Sequence, residues 1–265
     1  MKSIASLLSL LSFSGLALAG PGVAPVTSGA VTDAGSSSSG ALRPCLCHNA
    51  FTGVDKPFAV NINLAYDSSY LCRGMDIGEN LFAGTLTIDA AIAPNLKWTL
   101  SGRYMELEST DFSEINVYTG LFYTVGKLTI GPSFRYYQFR PNGGEMNAYD
   151  IGLQALYKAG PLDITAGYYY ETESEGSYAE LGVAAPIKLT NNISLVPSAE
   201  ISYTDGWLNP ALSGFNVVSL RLAVPIKASE NVMVVPYIGG QFPLEALDSV
   251  QEDKLFGGVS LSFTF

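Results

Sequence analysis

Charge is scarce in this chain. Asp, Glu, Lys and Arg make up 14% of its 265 residues, against about 25% in ordinary soluble domains. Histidine is scarcer still, because His48 is the only one. That removes the Ser–His pair of a barrel phospholipase and any multi-histidine metal centre. Beyond the first twenty residues no apolar run reaches the roughly 18 residues that a helical span needs, so a helical membrane protein is excluded. The formal net charge of −10 speaks against nucleic acid as a partner. No phosphate loop, dinucleotide fingerprint or zinc framework is present. No catalytic residue and no cofactor is therefore assigned, and an enzyme is not expected.

What is abundant is Tyr and Phe, 15 and 13 residues, and alternation. In the final segment Leu255, Gly257, Val259, Leu261, Phe263 and Phe265 form one set. Phe256, Gly258, Ser260, Ser262 and Thr264 form the other. A period of two means a strand with one apolar and one mostly small, polar face. Apolar residues toward lipid, polar residues toward a lumen and an aromatic at the interface are the requirements of a transmembrane strand. A terminal Phe is also characteristic of the strand by which the barrel-assembly machinery recognises outer-membrane proteins, so Phe265 is expected to engage that machinery.

The N-terminus agrees with export. Lys2 precedes an apolar stretch from Ile4 to Ala19 that ends in Ala17-Leu18-Ala19, the small-x-small pattern of signal-peptidase cleavage. At about 16 residues, broken by Ser6, Ser9, Ser12 and Ser14, the stretch is short for a membrane anchor. Residues 1–19 thus read as a cleaved signal peptide. Residues 20–56, rich in Gly, Pro and Ser, read as a flexible periplasmic lead. Residues 57–265 read as the barrel.

Within 57–265, strand-like runs are joined by two alternating kinds of connection. The short ones are Pro94-Asn95, Gly126, Gly160-Pro161, Asn191-Asn192 and Ser229-Glu230-Asn231. The longer ones are Arg73 to Asn80, Glu108 to Phe112, Pro141 to Asn147, Glu171 to Ser177, Asp205 to Gly214 and Pro243 to Asp253. Tight turns on one side and longer loops on the other are the outer-membrane pattern. The sequence therefore predicts a closed, antiparallel, all-β transmembrane barrel of about twelve strands, in the bacterial outer membrane and surrounded by its lipid. Both termini are expected in the periplasm. Pro186-Ile187-Lys188 and Val196-Pro197 are echoed by Pro225-Ile226-Lys227 and Val235-Pro236. Proline cannot donate to a ladder, so these prolines, with Pro132, predict interruptions near the short-turn rim.

If the apolar set faces lipid, the lumen receives Asp67, Asp89, Arg103, Glu114, Arg135, Asp150, Tyr169, Glu180, Glu200, Arg221 and Gln241. Charges in lipid would cost a few kcal/mol each at mid-depth, and their shared phase supports this side assignment. Two functions remain. The residues can line a narrow channel or binding barrel for small solutes, or they can cross-brace a plugged barrel that works through its loops. Arg103, Arg135 and Arg221 are expected to pair with Glu114, Asp150, Glu180 and Glu200. Aromatics such as Phe82, Tyr104, Tyr123, Tyr157, Tyr168 and Phe265 are expected to form interfacial girdles. Cys45-Leu46-Cys47-His48 is a weak metal motif lacking a second half. Cys72, on the far side of the first strand, is too distant to bridge Cys45 or Cys47 unless the lead threads the barrel.

Ser69-Tyr70-Leu71-Cys72-Arg73-Gly74-Met75 with Phe82-Ala83-Gly84-Thr85-Leu86, Glu114-Ile115-Asn116-Val117-Tyr118-Thr119-Gly120, and Ile130-Gly131-Pro132-Ser133-Phe134-Arg135-Tyr136-Tyr137 resemble segments of the TorF (Gcw_chp) type of bacterial outer-membrane proteins. The likeness spans roughly residues 60 to 180, and Cys72 stands where an apolar or aromatic residue is usual. It implies an outer-membrane barrel and carries over no catalytic residue. The topology predicts that a cysteine introduced at Asn209 reacts with an impermeant maleimide on whole cells and one at Asn191 does not. The reverse labelling would invert the barrel.

Overall fold

The computed structural model describes residues 58–207 and 211–265. The segments expected to be a signal peptide and a lead, and the Cys45–His48 motif, lie outside the described residues. The strands are β1 (Phe58–Cys72), β2 (Met75–Ala93), β3 (Leu96–Leu107), β4 (Phe112–Val125), β5 (Leu128–Pro141), β6 (Met146–Ala159) and β7 (Leu162–Glu171). They continue as β8 (Gly176–Ala184), β9 (Ile187–Lys188), β10 (Ser194–Asp205), β11 (Ser213–Ala223), β12 (Ile226–Ser229), β13 (Val232–Pro243) and β14 (Lys254–Thr264). All pairings between them are antiparallel.

The wall closes on itself. Neighbours in sequence pair in turn, β14 returns to β1, and β11 pairs with β13. β9 continues the position of β8, and β12 that of β11, so the ring has twelve positions. The closing seam runs from Asn61↔Thr264 to Asp67↔Gly258, and Phe265 N–H donates to Val60 O at 2.9 Å. Closure matters because an open edge in hydrocarbon leaves backbone groups unpaired at several kcal/mol each.

The two breaks in the wall are the two proline echoes. Ala185-Pro186 separates β8 from β9, and Val224-Pro225 separates β11 from β12. Each break is bridged in the same way, Ala185 N to Pro197 O and Val224 N to Pro236 O, both at 3.0 Å. The β4–β5 ladder also skips the residue pairs between Gly120↔Ser133 and Tyr123↔Ile130, with its register kept, beside Pro132. At that skip Gly131 packs so closely that a Cβ would stand 1.9 Å from Leu121 O.

The twelve-position count and the alternation agree with the sequence. One boundary does not. β2 begins at Met75, not near residue 80, so the expected loop from Arg73 to Asn80 is a two-residue turn at the tip of a long hairpin. The tip escapes a pattern reading because its alternation fails: Tyr70, Cys72, Arg73, Gly74, Met75, Ile77 and Gly78 are all buried.

The outer surface is apolar. Ile62, Leu64, Leu86, Ile151, Leu153, Leu181, Leu220, Ile238 and Leu255 are exposed, as are Phe58, Phe82, Tyr104, Tyr123, Tyr157, Tyr168 and Phe265. A surface this apolar all round is a lipid-facing one. The polar residues alternate with it and are buried within. At the seam, a side chain on Gly258 would meet Asp67 Oδ1 and Tyr66 O, each at 2.4 Å. Gly258→Val is expected to cost about 1–3 kcal/mol through overpacking and to reduce the heat-modifiable, folded fraction on gels. An unchanged folded yield would show that the seam tolerates the substitution.

Candidate functional site

The interior is built by the inward phase of every wall strand. Asp67, Asp89, Arg103, Glu114, Arg135, Asp150 and Glu200 are buried, and Glu180 and Arg221 are half-buried. Asp67 accepts from the Tyr237 hydroxyl. Asp89 accepts from Thr99 at 2.6 Å and faces Lys97 at 3.5 Å. Glu114 accepts from Tyr70 at 2.7 Å, and Glu180 from Tyr169 at 2.7 Å. Near the short-turn rim, Lys158 bridges Asp163 at 2.8 Å.

The arginines behave differently from the expected set of ion pairs. Arg135 lies opposite Asp150 in register, 4.3 Å from the Tyr169 ring centroid. It donates to Tyr137 at 3.3 Å, and Tyr137 donates on to Asp150 at 3.1 Å. Arg221 lies 3.4 Å over the Tyr237 ring. Arg103 is 2% exposed, and none of its nitrogens has a hydrogen-bond partner among the described residues. Aromatic faces and hydroxyls thus replace many of the predicted carboxylate contacts, because tyrosines share the inward phase with the charges.

Sequence reasoning missed the centre of the site. Past Asp67 on β1 and before Leu81 on β2, the hairpin pairs with neither β14 nor β3. Residues 69–79 pair only within the hairpin. The chain turns at Asn80, whose φ is 58°, and the tip enters the barrel. In a ring of twelve positions, β7 and β8 stand opposite β1 and β2. The tip reaches them. The Arg73 guanidinium lies 5.2 Å from the ring of Tyr169 on β7, 4.7 Å from that of Tyr178 on β8, and 3.9 Å from that of Trp207 beyond β10. It forms an ion pair with Asp150 on β6, and both side chains are 0% exposed. Each aromatic ring is within the roughly 6 Å over which a cation is attracted to a π face.

The hairpin is fastened across the mouth by other contacts. Asn216 Nδ2 donates to Arg73 O at 2.6 Å, and Gln251 accepts from Asp76 N at 3.1 Å. Gly74, at φ 94°, leaves no room for a Cβ beside Leu247. Cys72 is a buried free thiol on this tip. A signal for the arrangement was present: Tyr70 to Met75 is almost wholly apolar around a single Arg73-Gly74, which an exposed loop does not need.

No family model matches the chain, and no curated protein matches it. Solved structures do. A KdgM porin superposes with a TM-score of 0.50 at 12% identity, over 78% of this chain and 99% of its own. A NanC porin does so at 0.50 and 7%, over 77% and 98%. An outer-membrane channel from Pseudomonas putida F1 gives 0.52 and 10%, over 78% and 95%. The fold is that of the outer-membrane β-barrels.

Breaking a buried ion pair from one side leaves an uncompensated charge, at about 3–5 kcal/mol. Asp150→Ala is expected to destabilise the barrel by that order in urea titrations in lipid vesicles. The double variant Arg73→Met/Asp150→Leu is expected to recover most of the loss. Equal destabilisation by the single and double variants would show that the Arg73–Asp150 pair is not coupled.

Proposed function

We propose that this chain is a small-solute channel or binding barrel of the bacterial outer membrane, with its mouth closed by the β1–β2 hairpin. The observation that carries this is the separation of wall and closure. Twelve wall positions pair into a complete ring without residues 69–79. The closing element is therefore dispensable to the barrel's own hydrogen bonding. A twelve-stranded wall encloses more space than the side-chain-filled eight-stranded case. The described wall lines that space with carboxylates and guanidinium groups of both signs. Porins and channels among the structural neighbours support a conduit at the level of architecture.

In this reading the termini and short turns face the periplasm, and the hairpin mouth faces outward. The strand ending in Phe265 is the one offered to the assembly machinery, and no chemical step is involved. The resemblance of the Tyr70–Gly74, Glu114–Gly120 and Ile130–Tyr137 segments to the TorF type supports this reading at the level of an outer-membrane barrel. The alternative reading is a non-conducting barrel in which the buried Glu114, Arg135 and Asp150 act as braces.

Planar-bilayer recording separates the two. The wild-type barrel is expected to conduct weakly or intermittently. A variant with Leu71 to Ile77 replaced by a two-glycine turn is expected to conduct steadily, with weak ion selectivity because the lining signs are mixed. A folded, tip-less barrel that passes no current would establish the braced reading.

A further inference from the structure

We propose that Asp150, Tyr169, Tyr178 and Trp207 form a binding site for guanidinium-bearing solutes, and that Arg73 occupies it as a built-in competitor. Host and guest come from separate parts of the molecule. The host residues stand on β6, β7, β8 and the segment after β10, and none belongs to the hairpin. The guest is one side chain at the tip of a hairpin that pairs with neither β14 nor β3 and is held at its base by the side chains of Lys254 and Ser109.

The host has the composition of a cation receptor. Tyr178 and Trp207 have ring centroids 5.9 Å apart and are tilted by 56°, so they present two faces to one cation. Asp150 supplies the counter-charge and is oriented by the Tyr137 hydroxyl at 3.1 Å. Tyr169 forms a further wall and is itself held by Glu180 at 2.7 Å. A carboxylate set beside converging aromatic faces suits a planar, delocalised guanidinium better than a compact, strongly hydrated ammonium.

The guest is held under some strain. Arg73 has φ 42°, a left-handed conformation that a residue other than glycine adopts at a cost. Exchange of Arg73 for a free guanidinium keeps the cage filled and lets the turn relax. The hairpin tip then has one contact fewer across the mouth. Solute recognition and mouth opening become one event. The opening half rests on the conduit reading above, whereas occupation of the cage does not.

Cys72, buried beside Arg73, reports the exchange in the otherwise intact chain. In a Cys45→Ser/Cys47→Ser background, millimolar methylguanidinium should accelerate maleimide labelling of Cys72 at least several-fold. Methylammonium and sodium at equal ionic strength should not. A second measurement reads the cage alone. With Trp98→Phe, Trp207 is the only tryptophan, and in Arg73→Ala its emission should respond saturably to methylguanidinium. Restoring Arg73 should weaken that response about tenfold, and adding Asp150→Asn should abolish it. Either a response equal for methylguanidinium and methylammonium, or no response in both experiments, overturns the proposal. Both are run in detergent without current, so silence in the bilayer with positive binding rejects the conduit and keeps the site.

Discussion

A sheet in hydrocarbon has no tolerance for a free edge, and the rest of this molecule follows from that constraint. Every wall strand must find two partners, so the last strand must return to the first. Closure at twelve positions fixes a circumference, and the circumference fixes an interior too wide for side chains of the wall alone to fill as they do in eight-stranded barrels. The chain meets that excess space with a piece of its own backbone. Residues 69–79 leave the wall, turn at Asn80 and lie across the lumen. The wall gives up little in backbone hydrogen bonds for this: β3 ends where its pairing with the hairpin ends, and on β14, which runs on to Lys254, Gly257 N–H donates instead to Ser68 Oγ at 3.0 Å.

Inside, polarity is handled by aromatics as much as by opposite charge. A guanidinium buried in a barrel needs neutralisation, but a carboxylate for each arginine would demand further partners for every remaining oxygen. Tyrosine solves two problems together: its face accepts a cation and its hydroxyl satisfies a carboxylate. Tyr169 does both, stacking near Arg135 and Arg73 while donating to Glu180. Tyr237 does the same between Arg221 and Asp67. This explains how a chain of low charge content can hold so many ionisable groups out of water.

Much of the wall was legible in the sequence because a lipid-facing strand leaves a period-two trace. The run from Leu255 to Phe265 shows both sets with Phe256 as the one large apolar residue in the polar phase, and the phase of Arg103 between Gly102 and Tyr104 places it inward as found. The short turns stand out because Pro94-Asn95, Gly160-Pro161 and Asn191-Asn192 cannot continue a ladder. The closing hairpin was not legible, for the same physical reason. Once a strand pair leaves the wall and enters the interior, both of its faces are buried and the alternation vanishes. Arg73 then reads as a loop cation. Trp207 reads as loop as well, although it is fully buried. Contacts between opposite sides of a ring have no local sequence signature, since Arg73 and Asp150 are 77 residues apart.

The diametric placement of the hairpin also has a mechanical meaning. A thin-walled ring flattens easily under unequal lateral pressure, because shear between neighbouring strands changes its roundness at little cost. The hairpin changes this along more than one line. Its tip meets Asp150, Tyr169 and Tyr178 on β6, β7 and β8, while Tyr70 donates to Glu114 on β4 and Asn216 on β11 donates to Arg73 O. It therefore ties the β1–β2 side to the far wall and also to β4 and β11, which face one another across the lumen. Flattening by the surrounding bilayer is resisted along both axes at the level of the tip, and the barrel is stiffest at that end.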